Sequence, residues 1–488
     1  MNIHPEYLNM KRIFLVASMF FLFGISCNTA LKQEKTPEAI GPLPTAQQLA
    51  WHDLEFYWFI HFGPNTFTDK EWGHGDEPAD AFNPTALDCN QWATIAKQSG
   101  AKGIILTAKH HDGFCLWPSK YSKHTVRESK WENGKGDVVK ALSEACKANG
   151  LLFGIYLSPW DRNHPEYGTP GYNDVYVNTM TEVVTQYGPL FEFWWDGANG
   201  EGPNGKKQVY DFARFEKEIK KLAPDAVVFS DIGPDIRWVG NEKGIAGTTN
   251  WNLLDTAGFT RGAGAPSADT LNQGNVNGKN WIPSECDVSI RPGWFYHAEE
   301  DGKVKTPEQL FDLYLKSVGR GSSFLLNVPP DRRGLIHAND SAALAGFKKY
   351  RDESFADNLF KNINVSYTNA AGEPVTTNFN NGFNTTYLNT GGDKNIITIN
   401  PGKEETINCI LLKEYLPLGQ SIKQFKCLLK NGDKTVKTIE GTTIGHKRLL
   451  TFDATAVTSV DIVIEDTKGN ALISGIEAYR IPDQLVEK

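Results

Sequence analysis

The sequence predicts an α/β fold: a (β/α)8-type barrel, irregular in one part, followed by a C-terminal antiparallel β-sandwich. Three observations support this class. Short apolar runs alternate with segments of helical periodicity between Ala50 and Arg351. After Asp352 the chain becomes rich in Thr, Asn, Gly and Val, in short alternating runs. The 488 residues, 40% of them apolar, suffice for two or three domains at roughly 100–200 residues each, and this composition excludes a disordered or fibrous protein.

Eight apolar runs are predicted to form the barrel strands. Near-continuous apolar strands separated by helices indicate a parallel sheet that is covered on both faces. Eight such runs over roughly 300 residues favour a closed barrel over an open sheet. The stretch between Ser230 and Trp281 shows no clear helix, so the barrel is expected to be irregular there. The runs are residues 57–62, 103–108, 151–157, 190–195, 226–230 and 323–328, with two weaker ones at 245–251 and 281–290.

Short alternating runs predict the strands of the sandwich. Gly-containing pairs at 381–382, 431–432 and 468–469 are typical of tight turns between antiparallel strands. We therefore predict the barrel over residues 46–352 and the sandwich over residues 356–484. The runs are residues 396–400, 406–412, 423–429, 449–451, 460–465 and 471–479.

The amino-terminal segment predicts export. Lys11 and Arg12 precede an apolar run at residues 13–25, which has the length of a signal-peptide core and is too short to span a bilayer of ~30 Å. The run ends in small residues before Cys27 and resembles a bacterial lipoprotein signal, although a plain secretory signal is the alternative. We expect a signal peptide over residues 1–26, a lipid anchor on Cys27 as the sole membrane attachment, a tether over residues 27–45, and a periplasmic or cell-surface location.

Charge and cysteine usage limit the partners. The formal charge of −8 gives no broad basic surface for nucleic acid, so a nucleic-acid partner is not expected. No C-x-x-C pair occurs, so the sequence gives no support for a structural zinc site. Sparse spacing favours buried free thiols over disulfides at the six cysteines after the leader: Cys89, Cys115, Cys146, Cys286, Cys409 and Cys427.

Polar side chains follow the apolar runs where the predicted strands end. In a barrel of this kind the reactive groups come from the carboxyl ends of the strands, so these side chains are expected to share one site. A single histidine or acid at such an end is often only a helix cap, but five ends framed by tryptophans favour a functional site. The residues are His61, His110, His111, Tyr156, Asp196 and Asp231.

Asp196 is the strongest candidate for a catalytic group. It follows two tryptophans directly, and a carboxylate in such surroundings needs hydrogen bonds or charge partners to offset its desolvation. A carboxylate fixed in an aromatic cleft suits attack on an oxocarbenium-like centre, and that chemistry needs a second carboxyl group as general acid. Glu242, on a glycine-flanked loop, is the first candidate for the acid, with a solvated loop glutamate as the equal alternative. Glu285 and Asp231 are the reserves.

The histidines allow a second interpretation. His61, His110 and Asp196 are residue types that would suit a mononuclear metal hydrolase. However, His110 and His111 are adjacent and would point to opposite faces of a strand, and neither H-x-H nor H-E-x-x-H occurs. Neutral histidines that bind sugar hydroxyls are favoured, because each ring offers one donor and one acceptor. We therefore expect neither a metal nor another cofactor.

Four motifs stand out at the predicted strand ends: Ile60-His61-Phe62-Gly63, Lys109-His110-His111-Asp112-Gly113-Phe114, Tyr156-Leu157-Ser158-Pro159-Trp160 and Trp194-Trp195-Asp196-Gly197. Together they resemble the α-L-fucosidases of glycoside hydrolase family 29, over about residues 45–350. The resemblance implies a retaining, metal-independent enzyme that removes terminal α-L-fucose from fucosylated oligosaccharides or glycoconjugates. It assigns the nucleophile to Asp196 and fucose binding to His61, His110, His111, Tyr156 and Trp194.

Three further stretches, at 197–200, 237–242 and 289–294, look like the subfamily that acts on α-1,3/4-linked fucose. In that subfamily the acid is the glutamate of the Gly-Asn-Glu stretch, which is Glu242, and Glu71 and Trp72 are pocket residues. The C-terminal segment resembles a galactose-binding-like sandwich, for which bracing the barrel is the expected role. A non-catalytic fucose-glycan-binding lipoprotein and a metal-dependent barrel hydrolase are the alternatives.

Overall fold

Eight parallel strands close into a barrel, and the computed structural model describes residues 36–361, 363–379 and 386–486 of the chain. The strand order around the barrel is β1-β10-β9-β6-β5-β4-β3-β2, while β7 and β8 form a separate antiparallel ladder. In chain order the strands are β1 Phe56–Ile60, β2 Gly103–Lys109, β3 Leu152–Leu157, β4 Glu192–Trp194, β5 Val227–Ser230, β6 Ile236–Trp238, β7 Leu253–Leu254, β8 Asn280–Trp281, β9 Ser284–Ser289 and β10 Ser323–Asn327.

Helices cover the outside of the barrel. Their starts are fixed by side-chain caps: Asp88 and Asp137 accept hydrogen bonds from the first turns of α3 and α4, and Thr306 forms a capping box on α8. In chain order the helices are α1 Ala46–His52, α2 Pro64–Thr68, α3 Cys89–Gln98, α4 Val138–Asn149, α5 Tyr172–Gln186, α6 Phe212–Leu222, α7 Ala268–Gln273, α8 Pro307–Lys316 and α9 Ala338–Phe355.

The barrel is irregular where the sequence lacks a helical pattern, but one predicted strand is wrong. Residues 245–251 contain no strand, and the sixth barrel strand is β6. Arg237 in the centre of β6 interrupts the apolar pattern that the prediction relied on. Its guanidinium is fully buried and donates to the carbonyl oxygens of Leu271 and Trp251 at 2.8 and 3.0 Å. Backbone carbonyls satisfy this buried charge, so a charged residue is able to lie inside a strand. A search for apolar runs does not find such a strand.

Two antiparallel sheets follow the barrel, in the orders β12-β11-β14-β19-β16-β17 and β13-β20-β15-β18. The six predicted runs correspond to β14, β15, β16, β18, β19 and β20. The predicted turn at 431–432 is confirmed, because it joins the paired strands β16 and β17. Residues 468–469 instead connect β19 to β20, which belong to different sheets, so a tight turn between paired strands is wrong there. The pair at 381–382 lies outside the described residues. The strands are β11 Ile363–Thr368, β12 Pro374–Phe379, β13 Leu388–Asn389, β14 Asn395–Asn400, β15 Glu405–Glu414, β16 Ile422–Asn431, β17 Lys434–Gly441, β18 Arg448–Val457, β19 Ser459–Thr467 and β20 Leu472–Tyr479.

The sandwich packs closely on the barrel. Thr443 Oγ1 accepts from the amide of Asn250 at 2.8 Å, and Lys447 forms a 2.5 Å ion pair with Glu55. Leu411 of β15 lies in the same apolar core as the barrel helices. The described residues from 37 onwards accordingly form one compact unit. These contacts are of the kind that a bracing role requires.

The predicted free thiols are confirmed, since the six cysteines of the described residues are buried and unbridged. The predicted signal peptide, Cys27 and most of the tether lie outside the described residues. Within the described ranges, no helix is both long and apolar enough to cross a membrane.

Candidate active site

A cavity of about 130 Å³ opens at the carboxyl ends of the barrel strands. Nine of the side chains that the sequence analysis named line it: His61, Glu71, Trp72, His110, His111, Tyr156, Trp194, Asp196 and Glu242. Phe59, Ala198, Asp287 and Trp294 complete the lining. The site therefore lies where parallel strands of a barrel converge.

The orientation of His61 is fixed by Asn327. The Asn327 amide nitrogen donates to Ser289 Oγ at 2.9 Å and to the Trp294 carbonyl at 2.8 Å, which turns its oxygen towards His61. That oxygen lies 2.9 Å from His61 Nδ1, so Nδ1 must carry the proton. Burial lowers the pKa of His61 to about 3. The ring is therefore neutral near pH 7 and presents Nε2 as a hydrogen-bond acceptor.

His111 is held in the same tautomer. Ser158 donates its hydroxyl proton to the Trp160 carbonyl at 2.8 Å, so the 2.8 Å contact between Ser158 Oγ and His111 Nδ1 requires Nδ1 to be the donor. His111 Nε2 lies 3.6 Å from Asp196 Oδ2. Burial lowers the pKa of His111, against the attraction of Asp196. His111 thus presents an accepting nitrogen beside the carboxylate.

His110 lies between these rings and has an unused polar atom. Its ring centroid is 4.2 Å from that of His111 and 5.6 Å from that of His61. Burial, followed by the charges that His111 and His61 would carry if protonated, lowers the pKa of His110 well below its ordinary value. His110 Nδ1 is buried and has no partner among the described residues. Three neutral imidazoles of this kind suit a ligand with several hydroxyl groups.

Asp196 is fixed by two hydrogen bonds at the edge of this histidine cluster. Tyr156 donates its hydroxyl to Oδ2 at 2.9 Å, and the amide of Ala198 donates to Oδ1 at 2.8 Å. The side chain is 25% exposed, so it reaches the cavity while most of it is covered. Two donors and partial access to water stabilise the ionised form of a carboxyl group. An oriented carboxylate on the cavity wall is able to act as a nucleophile.

Trp194 forms an aromatic wall of the cavity and is held from below. Its ring stacks on Phe229 with centroids 3.9 Å apart, and its Nε1 donates to Glu285 at 2.7 Å. Glu285 lies in the barrel interior and does not line the cavity. Burial raises the pKa of Glu285 to about 7. The structure therefore places this reserve candidate for the acid as a support of Trp194.

Asp231, the third candidate for the acid, also lies outside the cavity lining. Its carboxyl group packs against Gly197, where a Cβ atom would stand 1.9 Å from Asp231 Oδ2. Burial, followed by the negative charge of Asp196, raises the pKa of Asp231 to about 6. Gly197 is thus needed so that the chain after Asp196 can pass this carboxyl group.

Glu242 lies on an exposed loop after β6 and reaches the cavity beside Trp294. The Trp294 indole donates to Glu242 Oε2 at 3.2 Å. Two further contacts hold the Trp294 segment: its amide donates to Glu71 Oε2 at 2.8 Å, and the buried Arg291 guanidinium binds Asp340 at 2.6 Å. The candidate acid is therefore positioned by the loop that follows β9.

Glu71 and Trp72 have different surroundings on the loop after β1. Glu71 Oε1 accepts from His297 Nε2 at 2.7 Å, and its other oxygen is held by the Trp294 segment as described. The Trp72 ring is 55% exposed and meets the rings of His111 and Trp160 edge-on. Glu71 thus binds two loops together at the cavity, whereas Trp72 offers an open aromatic face at its mouth.

The described part of the chain contains no group of three or more His, Cys, Asp or Glu side chains arranged to hold a metal ion. His61 and His111 direct one ring nitrogen each towards Asn327 and Ser158.

Comparison with known proteins decides the family. The family model for α-L-fucosidase matches residues 46–353. The chain belongs to the α-L-fucosidase family, glycoside hydrolase family 29. It is therefore a glycoside hydrolase of the α-L-fucosidase type, as the resemblance predicted.

Relatives match the chain nearly end to end. Alpha-L-fucosidase 1 of Arabidopsis thaliana is 40% identical and covers 95% of this chain, with 94% of its own length matched. The crystal structure of a glycoside hydrolase 29 family member from a rumen bacterium is 39% identical, has a TM-score of 0.80, and covers 91% of this chain and 78% of its own. A Ruminococcus gnavus GH29 fucosidase in complex with fucose is 30% identical, with a TM-score of 0.82 and coverage of 93% and 98%. These relatives share both the barrel and the sheets that follow it.

Sequence reasoning did not assign Phe59, Ala198, Asp287 and Trp294 to the cavity. Asp287 had a usable signal, because Glu285 and Asp287 alternate within the weak apolar run at 281–290 and must lie on one face of a strand. Phe59 had none, since an aromatic residue within a buried strand is ordinary core.

A variant with Asn in place of His61 should lose less stability at acid pH than the wild type does. The folded pKa of about 3 lies below the ordinary value of 6.5, so the unfolded chain binds more protons within this window. The free energy of unfolding of the wild type should therefore fall as the pH drops from 6.5 towards 3. Over the same pH range, the free energy of unfolding of H61N should fall by on the order of several kcal/mol less than that of the wild type. Urea unfolding at a series of pH values measures both slopes.

The matched control is His74→Asn, because His74 is exposed on the surface. This variant should keep the wild-type slope. Equal slopes for H61N and wild type would show that His61 does not titrate as its burial requires.

Proposed function

We propose that this protein is an exo-acting, retaining α-L-fucosidase that removes terminal α-1,3/4-linked L-fucose from glycans, with Asp196 as nucleophile and Glu242 as acid/base. The observation that carries the proposal is the pairing of an oriented carboxylate, held by Tyr156 and Ala198, with a second carboxyl group in one small cavity. A glycan that presents terminal fucose is the substrate.

In the first step Asp196 attacks the anomeric carbon of fucose while Glu242 gives its proton to the glycosidic oxygen. The bond between C1 and that oxygen breaks, the shortened glycan leaves as an alcohol, and a fucosyl ester forms on Asp196. The histidine cluster His61, His110 and His111 accepts hydrogen bonds from fucose hydroxyls, and Trp194 packs against the apolar side of the sugar.

In the second step water attacks C1 while Glu242, now a carboxylate, takes its proton. The ester bond breaks, Asp196 becomes a carboxylate again, and Glu242 is protonated for the next cycle. Two inversions retain the configuration of fucose. The exposed position of Glu242 suits this alternation, because the group must meet both the leaving glycan and the entering water.

Asp196→Ala should lower kcat by several orders of magnitude with the fold intact, because no other side chain supplies the attacking oxygen. Glu242→Ala should lose turnover too, and added azide should restore part of it on an activated fucoside by attacking the ester without base help. The measurement is release of fucose, with circular dichroism to check folding.

Glu285→Ala is the matched control, because Glu285 is a neighbouring carboxyl group outside the cavity lining. It should show no azide rescue. Rescue of Glu285→Ala without rescue of Glu242→Ala would overturn the assignment of the acid.

The linkage preference for α-1,3/4-fucose is supported by the stretches at 197–200, 237–242 and 289–294, which place Ala198, Glu242 and Trp294 on the cavity. An open aromatic face at Trp72 beside the mouth suits contacts with a branched glycan. We expect faster fucose release from a Lewis-type trisaccharide than from a 2′-linked fucosyl glycan. Equal or reversed kcat/KM values would refute the linkage preference and leave the fucosidase activity in place.

Export and lipid anchoring are also part of the proposal. The support is the basic and apolar leader that ends at Cys27. The wild type should partition with membranes in a bacterial host, whereas Cys27→Ser should appear in the soluble fraction, as followed by fractionation and immunoblotting. Membrane association of both forms alike would refute an anchor on Cys27.

A further inference from the structure

Asp287 is a carboxyl group on the cavity wall that the mechanism above does not use. It lies on β9 two residues after Glu285, so both side chains point into the barrel, with Asp287 one level nearer the mouth. Its exposed fraction is 4%, although it lines the cavity. A carboxyl group in such a position has lost most of its hydration and must be stabilised by its neighbours.

The neighbours of Asp287 disfavour a negative charge. The charged groups that face it are Glu242, from the loop after β6, and Glu285, from the level below on its own strand. Its register partner on β10 is Leu325, which is apolar. Within the described ranges no lysine, arginine or histidine forms an ion pair with it. Burial and these two carboxyl groups raise the pKa of Asp287 well above its ordinary value.

One oxygen of Asp287 is already occupied. The Trp238 indole donates to Oδ1 at 2.9 Å, so Oδ1 acts as an acceptor and the proton belongs on Oδ2. No side chain of the described residues donates to Oδ2. His61 and His111 present accepting nitrogens, and Asp196 accepts hydrogen bonds from Tyr156 and Ala198. A neutral Asp287 would therefore add a hydrogen-bond donor to a wall that is otherwise rich in acceptors.

We infer that Asp287 enters the reaction as a neutral carboxyl group whose Oδ2–H donates a hydrogen bond to an oxygen of the bound sugar, on the wall that also carries Glu242. This inference deepens the proposed function and rests on it. A donor on this wall orients the sugar oxygen towards Glu242 without adding a second negative charge next to the acid/base. Asp287 is thus a substrate-binding residue for the fucoside.

Asparagine and leucine have nearly the shape of aspartic acid. Together they show whether Asp287 acts as a neutral hydrogen-bond donor or as an ionised carboxylate. Asp287→Asn keeps an acceptor for Trp238 and supplies an N–H donor that does not ionise, so its kcat/KM should stay within about threefold of wild type at neutral pH. Asp287→Leu removes the donor and should lower kcat/KM about tenfold. Fucose release from the Lewis-type trisaccharide measures both, with thermal unfolding to check the fold.

A pH series separates this role from a merely structural one. As the pH rises, wild-type Asp287 ionises and loses its donor, whereas the amide does not. The ratio of kcat/KM for Asp287→Asn to that of wild type should therefore increase with pH. Asp137→Asn is the matched control, because Asp137 is a half-buried carboxyl group whose pKa is also raised by burial, but it caps the N-terminus of α4 outside the cavity lining. Its ratio to wild type should stay constant.

Two results would overturn the inference. The first is an equal loss of kcat/KM in Asp287→Asn and Asp287→Leu, which would show that the ionised carboxylate is used. The second is a constant ratio of Asp287→Asn to wild type across pH, which decides the matter even if Asp287→Leu does not fold. A wild type that releases no fucose would refute the proposed function instead. In that case calorimetric titration with fucose, in which Leu but not Asn weakens binding, still tests the role of Asp287.

Discussion

The need to satisfy buried polar groups determines this active site more than any other constraint. A barrel interior excludes water, so each polar side chain in it has to find a donor or acceptor of the right kind. Asn327 illustrates the effect, because one amide joins four strands or loops: it accepts from His61 and donates to Ser289 and to the carbonyl of Trp294. With the amide oriented in this way, only the tautomer of His61 that carries its proton on Nδ1 is able to bond to it. The chemistry that the cavity offers is thus set by residues that do not line it.

The same constraint separates the carboxyl groups by depth. Glu192 and Glu285 share the interior below Trp194, where burial, followed by their mutual repulsion, raises the pKa of Glu192 well above its ordinary value. Tyr57 donates to Glu285, and Trp51 donates to Glu192 at 3.0 Å. The charged form of a carboxyl group is therefore disfavoured in the lower layer. Asp196 lies at the cavity, where two hydrogen-bond donors hold its carboxyl group and 25% of its side chain is exposed.

Sequence reasoning found the residues that the strands themselves bring together. His61, His110, Tyr156 and Asp196 follow strands whose carboxyl ends meet in any parallel barrel, so their convergence needs no further information. It failed at β6, because Arg237 is paired with carbonyls from distant segments that no local pattern reveals. Glu285 stayed a reserve candidate for the acid for a related reason. The position of a residue along a strand shows whether its side chain points into the barrel. Whether an acid then lies at the cavity or one level below depends on the strand register.

The position of Glu242 depends on long-range contacts of another kind. Its loop reaches the cavity beside Trp294, and the Trp294 segment is in turn held by Glu71 from the loop after β1 and by Arg291 on Asp340 of α9. Three segments far apart in the chain must fold together before the second carboxyl group has a defined place. Asp196 is different, because its hydrogen bonds come from β3 and from its own loop. A change in the loops that carry Trp294 and Glu71 would therefore alter the surroundings of Glu242 while leaving Asp196 in position. Under the proposed function, this arrangement allows glycan specificity to vary on a constant fucose site.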